Sequence, residues 1–295
     1  MIIVDYSQTA ISTLMAEMRG GSGSNVSLPL VRHMIVNILR SYKNKFGEEY
    51  GEIVIACDNK NYWRKQKFPY YKANRKKARD DSGFDWGVIF EALNQIKQEL
   101  DENFPYPVIE VDTAEADDII ATLVQWSQEN DLTRQGLDFE AQPILILSGD
   151  HDFAQLQRYS NVKQYSPIFR KWVKNKESAE QELVEKILCG DKGDGVPNFL
   201  SDDDTFVSGK RQRPIRKKDL AEWKKLPLSH WENTEHADRV RRNQEMIDLR
   251  NVPNDIQQEI INSYTSQQGK RDRSKLLNYF IANKMKNLME HITEF

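Results

Sequence analysis

The chain has 295 residues, 39% of them hydrophobic and 29% charged, so it is long enough for one large core or for a core with a smaller satellite domain. Two cysteines, Cys57 and Cys189, are too few for a disulfide framework or a structural zinc site, and no apolar run approaches the roughly 20 residues that span a bilayer, so we expect a cytoplasmic protein. The net charge of −3 means that any contact with nucleic acid must come from local concentrations of basic residues.

Residues 1–177 are predicted to form an α/β domain with a mostly parallel sheet, because short apolar runs alternate with helical patterns. The predicted strands are residues 2–4, 53–57, 108–111 and 144–147. A helix opened by Ser27 and Pro29 precedes the second strand, and residues 86–100 and 116–126 have the spacing of amphipathic helices. Residues 20–24, with the sequence Gly-Gly-Ser-Gly-Ser, are predicted to be a flexible loop.

Basic residues are concentrated in two segments. Residues 60–79 contain no Asp or Glu, and residues 210–225 form a second basic stretch. A run of charge is most often a solvated surface. The first segment, however, also carries aromatic residues that such a surface does not need, at Tyr62, Trp63, Phe68, Tyr70 and Tyr71. This combination favours a nucleic-acid-binding surface within residues 60–79.

The chain beyond residue 177 is predicted to be an all-helical domain that spans residues 178–295. The helical candidates are residues 178–188, 217–226, 237–249, 253–264 and 274–289. The change from alternating strands and helices to helices alone sets the predicted boundary near residues 174–179.

Acidic residues follow each of the four predicted strands. Asp5 follows the first strand and Asp58 the second, and Asp112, Glu115, Asp117 and Asp118 follow the third, while Asp150 and Asp152 follow the fourth. Because parallel strands end at the same edge of a sheet, these side chains converge on one crevice. Their mutual repulsion requires raised pKa values or bound cations, and magnesium suits a site made of carboxylates and water.

Each acidic group also has a structural explanation when it is taken alone. Glu115, Asp117 and Asp118 begin a helix, where acidic residues favour the positive end of the helix dipole. Asp150 and Asp152 could form an ordinary turn. The convergence of all four strand ends favours the functional interpretation. Two magnesium ions roughly 4 Å apart would suit phosphodiester hydrolysis, because they activate water and stabilise charge on the phosphate.

Six motifs occur in the order found in one family of nucleases. They are VD at 4–5, ACDN at 56–59, YKANR at 71–75, EADD at 115–118, SGDHDF at 148–153 and GDKGDGVP at 190–197. Over nearly its whole length the chain therefore resembles the 5′ nucleases of the flap-endonuclease family, and within it the bacteriophage ribonuclease H branch. The resemblance implies a PIN-like 5′ nuclease fold. It also implies a 5′-3′ exonuclease of RNA–DNA and DNA duplexes, with flap endonuclease activity, that removes lagging-strand primers.

The resemblance further implies the residues that serve two magnesium ions, for which manganese can substitute. Around the first ion we expect Asp5, Asp58, Glu115, Asp117 and Asp150, with Asp118 nearby. For the second ion we expect Asp152, Asp191 and Asp194, partly through water.

Two segments are expected, by the same resemblance, to contact nucleic acid. Residues 60–85 correspond to a mobile helical arch through which a single-stranded 5′ end passes. In the arch, Lys72 and Arg75 match residues that contact the scissile phosphate, Tyr71 matches a residue on which a base stacks, and Arg79 is a further contact. The turn at 190–197 corresponds to a helix-turn-helix-like element that grips duplex DNA through Lys192, Gly193 and Gly195.

The expected partners are branched or nicked DNA and RNA–DNA duplexes. The resemblance adds a single-stranded DNA-binding protein that docks on the helical C-terminal domain. The sequence begins almost directly at its first strand, so a clamp-recruiting N-terminal tail is not expected, and we expect a monomer.

Three alternative functions make different predictions. A catalytically inactive DNA-binding protein of the same fold would lack some of the acidic residues, and none is missing here. A haloacid-dehalogenase-like phosphatase needs a second Asp at the position of Ser7. A compact PIN ribonuclease would lack both the arch and the turn at 190–197.

Overall fold

A computed structural model describes residues 1–19, 27–130, 141–270 and 272–295, with all their side chains except those of residues 16–19, 77 and 78. The loop predicted at residues 20–24 lies outside the described residues. Among the helices that are described, none has the length and hydropathy needed to cross a membrane.

The described residues form one six-stranded sheet. Its strands are β1 (Ile2–Asp5), β2 (Ile53–Ala56), β3 (Val108–Ile109), β4 (Ile144–Leu147), β5 (Val162–Ser166) and β6 (Lys171–Val173). They lie in the order β3-β2-β1-β4-β5-β6, and only the β5–β6 pair is antiparallel. The predicted mostly parallel sheet is therefore confirmed. The last two strands escaped prediction because Lys163 and Gln164 interrupt the apolar run that marks the other strands.

The helices lie between the strands and after them in the chain. They are α1 (Tyr6–Arg19), α2 (Leu28–Tyr50), α3 (Trp63–Lys67), α4 (Arg75–Asp80), α5 (Trp86–Asn103), α6 (Ala116–Glu129), α7 (Ala179–Cys189), α8 (Lys217–Trp223), α9 (Ala237–Ile247), α10 (Asn254–Gln267), α11 (Leu276–Ala282) and α12 (Lys286–Met289). Ser27 occupies the N-cap position of α2, with a proline in the first turn of the helix, as predicted. The single helix predicted at 274–289 is instead two helices, because Lys284 between them adopts a left-handed backbone with φ of 57°.

The sheet separates two hydrophobic cores, because successive strand residues point to opposite faces. Ile3 and Ile146 face one core, which is closed by residues such as Ile187 of α7 and Ile260 of α10. On the other face, Val4 and its neighbours pack against helices α2 and α5 and against Phe280 of α11. Helices from the last third of the chain thus cover both faces, and this buried apolar area holds the carboxyl edge of the sheet rigid.

Candidate functional site

Four carboxylates meet at the carboxyl edge of the sheet, as the sequence predicted. Asp5 ends β1, whose neighbours β2 and β4 pair with it in register. Asp58 and Asp150 lie just beyond β2 and β4, and Asp117 lies in the first turn of α6. All four line a cavity of about 320 Å³, and the side chains of Lys72 and Arg75 lie across it.

Repulsion and burial perturb the acids of this cavity. Asp5 accepts hydrogen bonds from the Gln8 backbone N–H and from the Ser148 hydroxyl. Burial, with the charges of Asp58 and Asp150, nevertheless raises the pKa of Asp5 to about 7. Burial and the charge of Asp150 likewise raise the pKa of Asp117 well above its ordinary value. The cavity therefore favours a proton or a cation between these carboxylates.

Asp58 and Glu115 fix the start of α6 against the sheet. The Ala116 backbone N–H donates to Asp58 Oδ1 at 2.9 Å, which ties the end of β2 to the helix. Glu115 caps α6 in a capping box with Asp118. Asp117 lies in the first turn of α6, on the side of the helix that faces the cavity. The contacts of Asp58 and Glu115 therefore fix the position of Asp117.

Glu115 is almost fully buried and paired with cations of the chain. Arg64 donates to its Oε2 at 2.9 Å, and the Lys72 ammonium pairs with its Oε1. Burial opposes its ionisation, but Lys72 and Arg64 hold the pKa of Glu115 below its ordinary value. Glu115 thus reaches the cavity through Lys72.

Asp118 does not line the cavity, which corrects its expected place near the first ion. Its side chain is fully buried and accepts from the Trp63 indole N–H and from the Glu115 backbone N–H, both at 3.0 Å. Arg64 lies 2.8 Å from its other oxygen. Through these buried partners, Asp118 stabilises the start of α6.

The residues predicted to form the arch are partly core. Trp63, Phe68 and Tyr71 are buried, and so is Arg64, which the charge pattern had grouped with the nucleic-acid-facing residues. Arg64 instead donates to the Met246 carbonyl and to Glu115, and it forms an ion pair with Asp118. Its role was missed because a buried arginine looks like any other member of a basic run in sequence.

Tyr71 is placed differently from its predicted role in base stacking. Its ring is only 2% exposed, and its hydroxyl lies within hydrogen-bond distance of both Glu115 and Asp194. A base has no access to this buried ring, and the Tyr71 hydroxyl instead joins Glu115 to Asp194. Tyr70, beside it, is exposed.

Lys72 and Arg75 lie where the sequence placed them, beside the carboxylates. Burial opposes the charge of Lys72, but Glu115 and Asp194 raise its pKa above the ordinary value. Arg75 donates to Asp194 at 2.5 Å. Arg79 lies farther out, 6.0 Å from the Phe90 ring centroid, in a second cavity that Arg75 also lines.

A second acidic cluster combines Asp152, which follows β4, with Asp191 and Asp194 of the turn at 190–197. Lys186 bridges Asp152 and Asp191, and its Nζ lies 2.9 Å from the Asp191 carboxylate. Burial opposes the charge of Asp191, but Lys186 holds the pKa of that carboxyl below its usual range. Lys186 was missed by sequence reasoning, although its position in the last turn of α7, five residues before Asp191, was a usable signal.

The turn at 190–197 is docked on the arch segment. The Lys72 backbone N–H donates to the Asp194 carbonyl at 2.7 Å, and Asn74 donates to the Lys192 carbonyl at 2.8 Å. Gly195 has φ of 72°, and a Cβ there would lie 3.0 Å from the Tyr70 carbonyl. Gly195 therefore packs closely against the arch and is buried from solvent. The expectation that Gly195 contacts DNA is corrected by this placement. Lys192 and Gly193 are exposed.

Two further residues near the predicted strand ends stay outside the site. Asp112 and His151 are exposed and do not line the cavity. Within the described ranges, no group of three or more His, Cys, Asp or Glu side chains is already arranged to hold a metal ion. A cation in the cavity would thus require small side-chain movements or water as a bridge.

Comparison with known families gives two matches that together span the chain. Residues 2–188 match the family described as 5′-3′ exonuclease, N-terminal resolvase-like domain. Residues 177–295 match the family described as T4 RNase H, C terminal.

Relatives with similar sequences are nucleic-acid enzymes. Ribonuclease H of Enterobacteria phage T4 is 36% identical to this chain. The alignment covers 99% of this chain and 95% of the phage protein. DNA polymerase I of Caldicellulosiruptor bescii is 31% identical over 55% of this chain and 18% of that protein.

Solved structures of similar fold come from bacteriophage T5. The T5 5′-exonuclease with bound zinc aligns with a TM-score of 0.59 at 16% identity, over 91% of this chain and 99% of that one. The T5 flap endonuclease in a pseudo-enzyme-product complex with DNA and metal ions also aligns with a TM-score of 0.59 at 16% identity. This alignment covers 90% of this chain and 98% of the T5 chain. At this identity the alignments establish a shared fold.

Proposed function

Because this chain belongs to the 5′-3′ exonuclease family and carries the C-terminal domain of the T4 RNase H family, we propose that it is a magnesium-dependent 5′-3′ nuclease of RNA–DNA and DNA duplexes, with flap endonuclease activity. Its role is removal of lagging-strand RNA primers during phage DNA replication. The observation that carries the proposal is the convergence of Asp5, Asp58, Asp117 and Asp150 on one cavity beside Lys72 and Arg75.

The residues of the cavity fit a divalent cation. Their oxygen donors are of the hard type that magnesium prefers. Burial, together with repulsion between the carboxylates, raises the pKa values of Asp5 and Asp117, and a bound cation would relieve both effects. The first ion would be held by Asp5, Asp58, Asp117 and Asp150, with Glu115 reached through small movements, and the second by Asp152, Asp191 and Asp194. When bound, the two ions supply an activated water and charge stabilisation at the phosphate. Manganese has a similar preference and should substitute.

Lys72 and Arg75 would bind the scissile phosphate. Both cations lie at the cavity, where Lys72 pairs with Glu115 and Arg75 pairs with Asp194. A bound phosphate must therefore replace these carboxylates as the partner of each cation. Such a fixed cation stabilises the negative charge that develops when the phosphodiester bond breaks. Arg79, in the adjoining cavity, would contact the strand outside the cleavage site.

The turn at 190–197 would hold duplex DNA by its exposed part. Lys192 and Gly193 present a positive charge and backbone to solvent, whereas Gly195 is occupied by the arch. Because the same turn carries Asp191 and Asp194, a grip on the duplex would set the position of the strand relative to the second acidic cluster.

The oligomeric state, the cellular location and a protein partner complete the proposed function. The protein acts as a monomer in the cytoplasm of the host cell. A single-stranded DNA-binding protein docks on residues 178–295.

Cleavage of a 5′-labelled flapped duplex, with RNA or DNA in the 5′ strand, tests the function. We expect short products from the 5′ end with magnesium, none with excess chelator, and none from the Asp150→Ala variant. Tight binding without cleavage by the unaltered chain would instead support the alternative, an inactive DNA-binding protein of the same fold.

A further inference from the structure

The hairpin formed by β5 and β6 carries exposed apolar side chains that neither core uses. In its connecting loop, residues 167–170, Ile168 is 53% exposed and Phe169 is 68% exposed. Single exposed hydrophobic residues are common, but two adjacent ones at the tip of a loop are costly to hydrate and contribute nothing to packing. This loop, called the hairpin tip below, is therefore a candidate contact surface.

The hairpin tip is anchored through the strands on either side of it. Trp172 of β6 packs edge-on against Tyr165 and Phe46, with ring centroids 5.4 and 5.9 Å apart. The Phe169 backbone N–H donates to the Ser166 hydroxyl at 3.4 Å. A preorganised loop loses little conformational entropy when it binds, so its apolar side chains can contribute fully to a contact.

The hairpin tip lies on the same edge of the sheet as the carboxylates. Leu147 pairs with Tyr165, so the tip continues beyond β5 at the level where β4 runs into Asp150. Two contacts confirm this closeness. The Gln164 side chain donates to the Asp150 carbonyl at 2.6 Å and to the Ser148 carbonyl at 2.9 Å.

The charges around the hairpin tip are complementary to a polyanion. Arg170 and Lys171 follow the two apolar residues and are exposed, and the Lys171 ammonium lies 5.2 Å from the Phe169 ring centroid. An aromatic ring flanked by cations beside a phosphodiester-cleaving site matches the requirements of a nucleic-acid strand, which offers bases for stacking and phosphates for pairing.

On the basis of the proposed nuclease function, we infer that the hairpin tip is a second nucleic-acid contact, in which Phe169 stacks on a base of the bound substrate and Arg170 and Lys171 pair with its phosphates. Neighbouring strands lie about 4.8 Å apart, so β6 is roughly 10 Å from β4. Because the tip and the carboxylates lie at the same edge of the sheet, the contacted base lies a few nucleotides from the scissile phosphate.

Equilibrium binding to a 5′-flapped duplex in calcium, with 2-aminopurine scanned through the five positions on each side of the junction, tests this inference. We expect Phe169→Ala to weaken binding about tenfold and to abolish the fluorescence change that the unaltered chain causes at the contacted position, because base stacking on an aromatic ring accounts for roughly 5- to 150-fold in affinity. Phe169→Trp should retain both signals.

Ile281→Ala is the matched control, since Ile281 is 56% exposed on α11 and should leave binding unchanged. A Phe169→Ala variant that binds within twofold of the unaltered chain, with the same fluorescence at every position, would overturn the inference. So would unchanged DNA binding combined with lost stimulation by a single-stranded DNA-binding protein, which would make the tip a protein-docking surface. Failure of the unaltered chain to bind the duplex would instead overturn the proposed function together with this inference.

Discussion

The two acidic clusters of the crevice differ in how the chain balances their charge. In the first cluster Asp5, Asp117 and Asp150 face one another, and the pKa values of Asp5 and Asp117 are raised. In the second cluster the acids face cations of the chain itself. Asp191 pairs with Lys186, which also bridges Asp152, and Asp194 pairs with Arg75.

This difference follows from the elements that carry each cluster. Three acids of the first cluster are fixed by buried parallel strands, whose ends cannot move apart without loss of core packing. The second cluster joins a segment after β4 to a turn after α7, and ion pairs hold it together. We therefore expect an external cation to bind more tightly at the first cluster, because among the residues that the structure describes none forms an ion pair with Asp5 or Asp150.

Removal of one acid from the first cluster should have the largest effect. In the Asp150→Ala or Asp117→Ala variant we expect cleavage to fall by at least about four orders of magnitude, because several kcal/mol of transition-state stabilisation depend on the bound cation. DNA binding should persist. The control is Asp112→Ala, an exposed acid near the same edge, which should cleave normally. Retained activity in Asp150→Ala would show that the site is misassigned.

Lys72 lines the cavity of the first cluster and pairs with Asp194 of the second, so its removal tests whether the two clusters work together. We expect Lys72→Ala to slow single-turnover cleavage roughly 100- to 1,000-fold, since it removes a fixed charge at the phosphate. Metal binding measured by calorimetry should persist. Lys65→Ala, which removes an exposed lysine of α3, should leave the rate near that of the unaltered chain. Equal rates in the two variants would place Lys72 outside the reaction.

The charge imbalance of the first cluster predicts a dependence of stability on pH. The pKa of Asp5 is raised from 3.8 to about 7, so the folded state binds this proton more tightly than the unfolded state does. Its contribution to stability is therefore full below about pH 4 and is lost as the pH rises through about 7. With chelator present, we expect the free energy of unfolding to fall by about 2 kcal/mol between pH 5 and 8.

Denaturant unfolding at a series of pH values measures this dependence. Asp5→Asn should flatten it, because the amide keeps a hydrogen-bond acceptor but carries no charge. Magnesium should restore the stability of the unaltered chain at pH 8. A slope that survives the substitution unchanged would assign the effect to other groups.

The smallest effect is expected in the second cluster. Lys186→Ala removes the internal cation between Asp152 and Asp191, so manganese binding there should tighten by roughly two- to fivefold, as expected for the loss of one partly exposed ion pair. Titration monitored by electron paramagnetic resonance measures this affinity. Lys218→Ala removes an exposed charge on α8 and serves as the control. Weaker binding in Lys186→Ala would mean that Lys186 helps to assemble the cluster.

Much of the fold was accessible from sequence because its signals are local. The apolar runs of β1, β2 and β4 and the spacing of α5 and α6 depend on neighbours a few residues away. The hairpin of β5 and β6 gave no such signal, since Lys163 and Gln164 break its pattern and its pairing with β4 is a property of the assembled sheet. The break between α11 and α12 at Lys284 was missed for a similar reason.

For the candidate site, the sequence by itself determined that Asp5, Asp58, Asp117 and Asp150 converge, because parallel strands end at a common edge whatever packs around them. Only the tertiary structure decided which partner each polar group takes. It buried Arg64 and Tyr71, turned Asp118 away from the cavity, and placed Gly195 against the arch. Those outcomes depend on contacts between segments more than 40 residues apart in the chain, such as Arg64 with Glu115 and Tyr71 with Asp194. Local sequence carries no record of such contacts.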